Sequence, residues 1–195
     1  GYLRVTSVGG VSLDMSKTRH VVFGNGVEGV VALQPTKGET PTLDHLCVDI
    51  GAADRAEAET MVAPGDVCVY APDFFQLGQH RVASPALDDR CACALLCELV
   101  LALENPRNTV IAVFSTQEEV GLRGAATAAF QVAPDWGVGL DVPAWGDTPE
   151  TKLPAVKLGA GAAVKFMDRS MVATPVVRDA LIAAAEKAGA ACQRE

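Results

Sequence analysis

Residues 2–8 alternate apolar and polar side chains with a period of two, the pattern of a strand with one buried face. Gly9-Gly10 turns the chain. Residues 20–23 and 27–33 flank Gly24-Asn25-Gly26 and predict a hairpin. Residues 34–42 are polar, with Pro and Gly, and predict a loop. Residues 46–50 read as a strand, 52–61 as a short Ala/Glu-rich helix, Pro64-Gly65-Asp66 as a turn and 67–70 as a further strand. Several short strands around one helix predict a β-rich, small barrel-like domain over residues 1–83.

The texture changes near Pro85. Residues 88–104 give a long Ala/Leu/Cys helix, apolar on most faces, as expected of a helix packed on a sheet beneath other elements. Asn105-Pro106 ends it. Residues 108–115 form a continuous run rich in β-branched residues, as in a parallel strand buried on both faces. A helix is expected over 122–130, a strand over 137–142 and a loop at 147–149. Strand pieces broken by Gly159-Ala160-Gly161 are expected within 152–166. Residues 175–188 form an amphipathic helix with Pro175 in its first turn and Thr174 as N-cap. Strands alternating with helices predict an α/β layer over residues 84–195. No internal repeat or low-complexity segment interrupts the chain.

The 195 residues suit one large domain or two small ones, and at 49% hydrophobic they bury a sizeable core. Sixteen basic against 24 acidic residues give a net charge of -8. That balance excludes nucleic acid and anionic membranes as natural partners. No apolar run is long enough to span a bilayer, and Gly1-Tyr2-Leu3-Arg4 is no signal peptide. The chain opens inside a strand pattern without an initiator Met and closes just after a helix, as though about to enter another strand; both ends are expected to be cut from a longer protein. Six cysteines, three of them in one apolar helical run, predict buried reduced thiols and a cytoplasmic protein. Cys93 and Cys97 stand one helical turn apart, but no second ligand pair at zinc spacing accompanies them.

Candidate chemistry centres on Glu118-Glu119. The pair sits where the most apolar strand-like run in the sequence ends and a Gly-containing turn begins, the edge at which open α/β sheets bind ligands. Two adjacent carboxylates raise each other's pKa unless a cation or proton neutralises them. Asp88-Asp89, opening the long helix, and Asp141, closing an apolar strand, are the other acidic points at element ends. Asp88, Glu119 and Asp141 are therefore expected to converge on metal, leaving Glu118 to move a proton. Each has a plainer reading: Asp88-Asp89 as a helix cap, Glu118-Glu119 as a solvated turn, Asp141 as a turn cap. Asp147 reads as a turn residue. Of the three histidines, His20 and His45 read as satisfied surface groups, and His80 is the nearest in sequence to Asp88. An obvious nitrogen ligand is lacking, although catalytic zinc generally has one.

Ala86-Leu87-Asp88-Asp89-Arg90, Gln117-Glu118-Glu119-Val120-Gly121-Leu122-Arg123-Gly124-Ala125, and Leu140-Asp141-Val142 with Gly146-Asp147-Thr148-Pro149 resemble, in order and spacing, the glutamyl/deblocking/tetrahedral aminopeptidases. Some members of that family were once labelled endoglucanases. Gly9-Gly10-Val11, Val48-Asp49-Ile50-Gly51-Ala52 and Lys157-Leu158-Gly159 are also similar, so the resemblance spans nearly the whole chain. It implies a two-metal aminopeptidase using zinc or cobalt. Asp88 would bridge both ions, Asp89 would follow through a non-proline cis peptide, Glu119 and Asp141 would each bind one ion, and Glu118 would be the general base. It further implies that residues 1–83 are an inserted dimerisation domain, that 84–195 are part of an α/β/α catalytic domain, and that dimers assemble into hollow dodecamers acting on peptides.

The family's His-Met-Asp motif and its last metal-binding His have no counterparts here. The 195-residue chain alone is therefore expected to bind metal weakly and to be nearly inactive. A related deacylase, or a non-catalytic oligomerisation module, are the alternative readings.

Overall fold

The computed structural model describes residues 1–144, 146–151 and 156–195. In chain order its elements are β1 (Tyr2–Arg4), α1 (Leu13–Ser16), β2 (His20–Phe23), β3 (Glu28–Leu33), β4 (Leu46–Asp49) and α2 (Arg55–Met61). They continue with β5 (Cys68–Tyr70), β6 (Phe75–Leu77), β7 (Arg81–Ala83), α3 (Leu87–Ala102), α4 (Arg123–Val132), β8 (Ala162–Val164), α5 (Pro175–Ala188) and β9 (Cys192–Arg194). The chain is mixed α/β. It divides into two compact units, Gly1–Leu87 with Glu104–Ala133, and Asp88–Leu103 with Pro134–Glu195. No helix of the described residues is long and apolar enough to cross a membrane.

The first unit is built on a five-stranded antiparallel sheet in the order β1-β4-β3-β2-β5. The predicted hairpin forms: Phe23 N–H donates to the Val27 carbonyl (2.8 Å), and Gly26 N–H donates to the Phe23 carbonyl (2.9 Å). Along β2 and β3 every second residue is buried, so the period-two pattern becomes one packed face. Val21, Phe23, Val31, Val48 and Ile50 on that face close against Ala58 and Val62 from α2 and the residue after it. Burying each of the larger side chains stabilises the unit by roughly 1.5–3 kcal/mol. Asp54 caps α2, its carboxylate accepting from Glu57 N–H at 2.9 Å.

Three features of this unit escape a reading of hydrophobic period. The single-turn helix α1 is capped by Ser12, and its Ser16 is buried with Oγ 2.7 Å from the Tyr70 hydroxyl. A turn of 3-10 helix, Leu43–His45, precedes β4. The β6–β7 hairpin is too short to show alternation.

The second unit contains a β8–α5–β9 crossover with β8 and β9 parallel, Ala162 opposite Cys192. Helix α5 has its predicted bounds. Thr174 is its N-cap, but through the backbone: its carbonyl accepts from Arg178 N–H at 3.0 Å, without a side-chain capping bond. Gly189 ends the helix in the left-handed conformation, φ 63°. The Phe166 ring lies near the guanidinium groups of Arg178 (4.6 Å) and Arg194 (5.5 Å).

Two expected strands do not form. Residues 108–115 and 137–142 join no ladder among the described residues, and Val110, Ile111, Phe114 and Val138 are exposed. Strand propensity alone does not make a strand, because the backbone groups need a neighbour's to pair with. Likewise α3 buries only Ala92 among the described residues, and Cys91, Cys93 and Cys97 are exposed rather than buried. Of the strand pieces expected within 152–166, β8 forms, while residues 152–155 lie outside the described residues.

Candidate functional site

The second unit gathers three of the acidic residues. Asp88 and Asp89 stand at the head of α3 with non-helical backbone, φ/ψ -83°/110° and -116°/35°, and the peptide between them is cis. Asp89 still accepts a hydrogen bond from the backbone of Ala92, three residues on, as an N-cap does. Asp141 lies outside the helices and strands, and Val142 N–H donates to Asp141 Oδ1 at 2.7 Å. One carboxylate oxygen from each of Asp88, Asp89 and Asp141 lies within 4.8 Å of the other two.

The electrostatics of this cluster are unfavourable without a cation. Burial, then the Asp141 charge, holds the Asp88 carboxyl above its usual range. Asp89 is raised by burial, then by Asp141 and Asp88, against a lowering hydrogen bond from the Ala92 backbone. Asp89 Oδ1 is buried and accepts no hydrogen bond. A buried carboxylate oxygen in that state needs a proton or a cation. Oxygen-only donors at this separation suit a hard or borderline divalent ion, so the residues present fit a metal.

Glu118 and Glu119 belong to the first unit, on the turn between the apolar run 108–115 and α4. Nested backbone bonds close this turn. Gly124 N–H donates to the Thr116 carbonyl (2.9 Å), Arg123 N–H to Gln117 (3.2 Å), and Gly121 and Leu122 N–H to Glu118 (3.0 and 2.9 Å). Gln117 and Leu122 both sit at φ 57°, the left-handed region that costs a non-glycine residue about 1–2 kcal/mol. Gly124 allows the close approach: a Cβ there would lie 2.5 Å from Thr116 N and nearer still to its carbonyl oxygen.

The other candidates have structural partners. Asp147 Oδ2 accepts from Leu158 N–H at 3.2 Å, as a turn residue does. His45 Nδ1 accepts from Thr42 N–H at 3.1 Å. His20 faces Glu28 across β2 and β3 at 3.6 Å, both side chains exposed. His80 lies in the β6–β7 turn.

A family model described as M42 glutamyl aminopeptidase matches residues 1–195. A relative in Acetivibrio thermocellus is 41% identical over 189 residues, covering 96% of this chain and 57% of its own. The structure of an aminopeptidase from the archaeon Desulfurococcus kamchatkensis superposes with a TM-score of 0.93 at 33% identity, covering 100% of this chain and 58% of the other. The TET1 peptidase of Pyrococcus horikoshii, which can assemble into a tetrahedron or a large octahedral shell, superposes with a TM-score of 0.83 at 31% identity, covering 100% of this chain and 61% of that one. The chain thus spans a little over half the length of the proteins it matches. With its motifs in order and the family model covering every residue, the chain belongs to the M42 glutamyl aminopeptidase family.

Proposed function

We propose that this chain carries the acidic part of a metal-dependent aminopeptidase site that removes N-terminal residues from peptides. The observation that carries the reading is Asp89 Oδ1, buried without a hydrogen bond beside Asp88 and Asp141. Family membership supports it. In this reading Asp88, Glu119 and Asp141 would hold two divalent ions, zinc or cobalt, and Asp89 would buttress Asp88. Bound ions would polarise the scissile carbonyl and ease deprotonation of water. Glu118 accepts the proton from the attacking water at its carboxylate and returns it to the leaving amine. Residues 1–83 act as an inserted, barrel-like domain through which copies of the protein assemble into dimers and larger shells. Assembly of the Pyrococcus horikoshii TET1 peptidase into a tetrahedron or an octahedral shell supports the expectation of assembly.

The test uses the full-length protein loaded with zinc or cobalt. Glu118→Gln is expected to lower kcat on aminoacyl-anilides by about 100-fold or more with metal content unchanged. N-acetylated substrates are expected to resist hydrolysis. A Glu118→Gln protein with wild-type turnover sinks the general-base assignment. Preferential cleavage of the acetylated substrate turns the reading to a deacylase.

A further inference from the structure

We propose that Gln117 and Arg123 form a positioning pair that fixes the direction in which Glu118 is presented; this rests on the reading of Glu118 as the general base. The two residues occupy the middle rung of the turn, directly beneath the rung in which the Glu118 carbonyl accepts from Gly121 and Leu122. That middle rung is tied twice. Its backbone bond runs from Arg123 N–H to the Gln117 carbonyl at 3.2 Å, and Arg123 Nη1 also donates to Gln117 Oε1 at 3.3 Å.

The second tie has a physical task. Gln117 is held at φ 57°, where an L side chain crowds its own backbone. A relaxed Gln117 would redirect the chain entering Glu118 and swing its carboxylate with it. The guanidinium anchors the Gln117 side chain to the first turn of α4, so the strained conformation persists. Both side chains are exposed, so neither is there to fill a core. Gly9 packs closely on the turn: a Cβ there would stand 3.1 Å from the Glu119 carbonyl oxygen. The turn therefore has a fixed floor, and the Gln117–Arg123 link decides its pitch.

The experiment compares Gln117→Ala, Arg123→Ala and the double variant with Glu118→Gln in the full-length, metal-loaded protein. Each single alanine variant is expected to lower kcat about tenfold with KM and metal content held within about twofold, because misplacing a reacting group by even 1 Å is costly. The double variant is expected to lose no more than either single one, since the pair acts as a unit. Gln117→Glu, which keeps an acceptor for Arg123, is expected to hold kcat within about threefold of wild type. Wild-type kcat in the single variants, or losses that multiply in the double, would overturn the proposal. If an alanine variant melts well below wild type, Gln117→Met and Arg123→Met, which keep side-chain length and lose only the polar link, replace it under the same criteria. Full activity in Glu118→Gln defeats the general-base reading itself, whereas an inactive Glu118→Gln beside fully active pair variants defeats only the positioning role.

Discussion

Asp88 and Asp141, 53 positions apart in sequence, bring carboxylate oxygens within 4.8 Å of each other, with Asp89 as the third member. Neutralising one of them has opposite consequences for the metal-free and metal-loaded states. Asp141→Asn removes a like charge that raises both Asp88 and Asp89. The chelator-treated variant is therefore expected to melt at or above the wild-type temperature. It also loses an anionic donor, so zinc affinity should fall by more than the roughly 10- to 100-fold that loss of an outer-shell partner costs. Metal at 100 times its Kd stabilises a native protein by about 2.7 kcal/mol. Melting curves with and without zinc read both effects, and an Asp141→Asn protein that binds zinc like wild type would remove Asp141 from the ligand set.

The same cluster predicts a pH dependence. Asp88 and Asp89 have folded-state values above the ordinary carboxylate value, so the folded chain binds their protons more readily than the unfolded chain does. The sign follows: their contribution to stability is fully present below about pH 3.9 and is lost as pH rises through the raised values. In chelator, the stability difference between Asp141→Asn and wild type is expected to grow in the variant's favour from about pH 4 to about pH 7. With metal bound the order reverses at neutral pH, because the ion replaces the protons. A difference that does not change with pH in chelator would show that the three carboxylates do not interact.

Gly124 marks where the acidic turn tolerates no added atom. The groups its Cβ would strike belong to the Thr116 backbone, which cannot rotate away as a side-chain tip can. Gly124→Ala is expected to destabilise by about 3 kcal/mol and to lower turnover through displacement of Glu118. At Gly137 a Cβ meets nothing within 4 Å. Gly137→Ala is expected to stay within about 0.5 kcal/mol of wild type. Equal melting temperatures for the two variants would contradict the close packing at Thr116.

How much of this was legible depended on the range of the forces involved. The hairpin of β2 and β3, the presence of helix α2 and the bounds of α5 are set by neighbours in sequence, and local patterns reveal them; the Asp54 cap, which starts α2 at Arg55 rather than at residue 52, was not read from the sequence. Residues 108–115 carry a strong strand pattern, yet pairing is a long-range property, and no ladder forms there among the described residues. The acidic points 88, 89 and 141 could be picked out because carboxylates at element ends are conspicuous. Their convergence is tertiary geometry, as is the Gln117–Arg123 link, which no spacing rule signals.

The β sheet of the first unit offers a test of packing independent of catalysis. Gly29 on β3 lies against Val48 on β4: an added Cβ would stand 2.5 Å from Val48 Cγ1, 3.2 Å from Ile50 Cγ2 and 2.9 Å from the Asp49 carbonyl oxygen. Val48 is itself 1% exposed, at the centre of the core. Gly29→Ala is expected to cost about 2–3 kcal/mol by overpacking, and Val48→Ala about 2 kcal/mol by leaving a cavity. The double variant places the new methyl in the space the valine vacates, so its cost should fall short of the sum by about 1 kcal/mol. Compensation is incomplete because the Asp49 carbonyl, held in the β3–β4 ladder, stays where it is. Denaturant unfolding of the four proteins measures the coupling. Strictly additive costs would mean that Gly29 and Val48 do not share the space between β3 and β4.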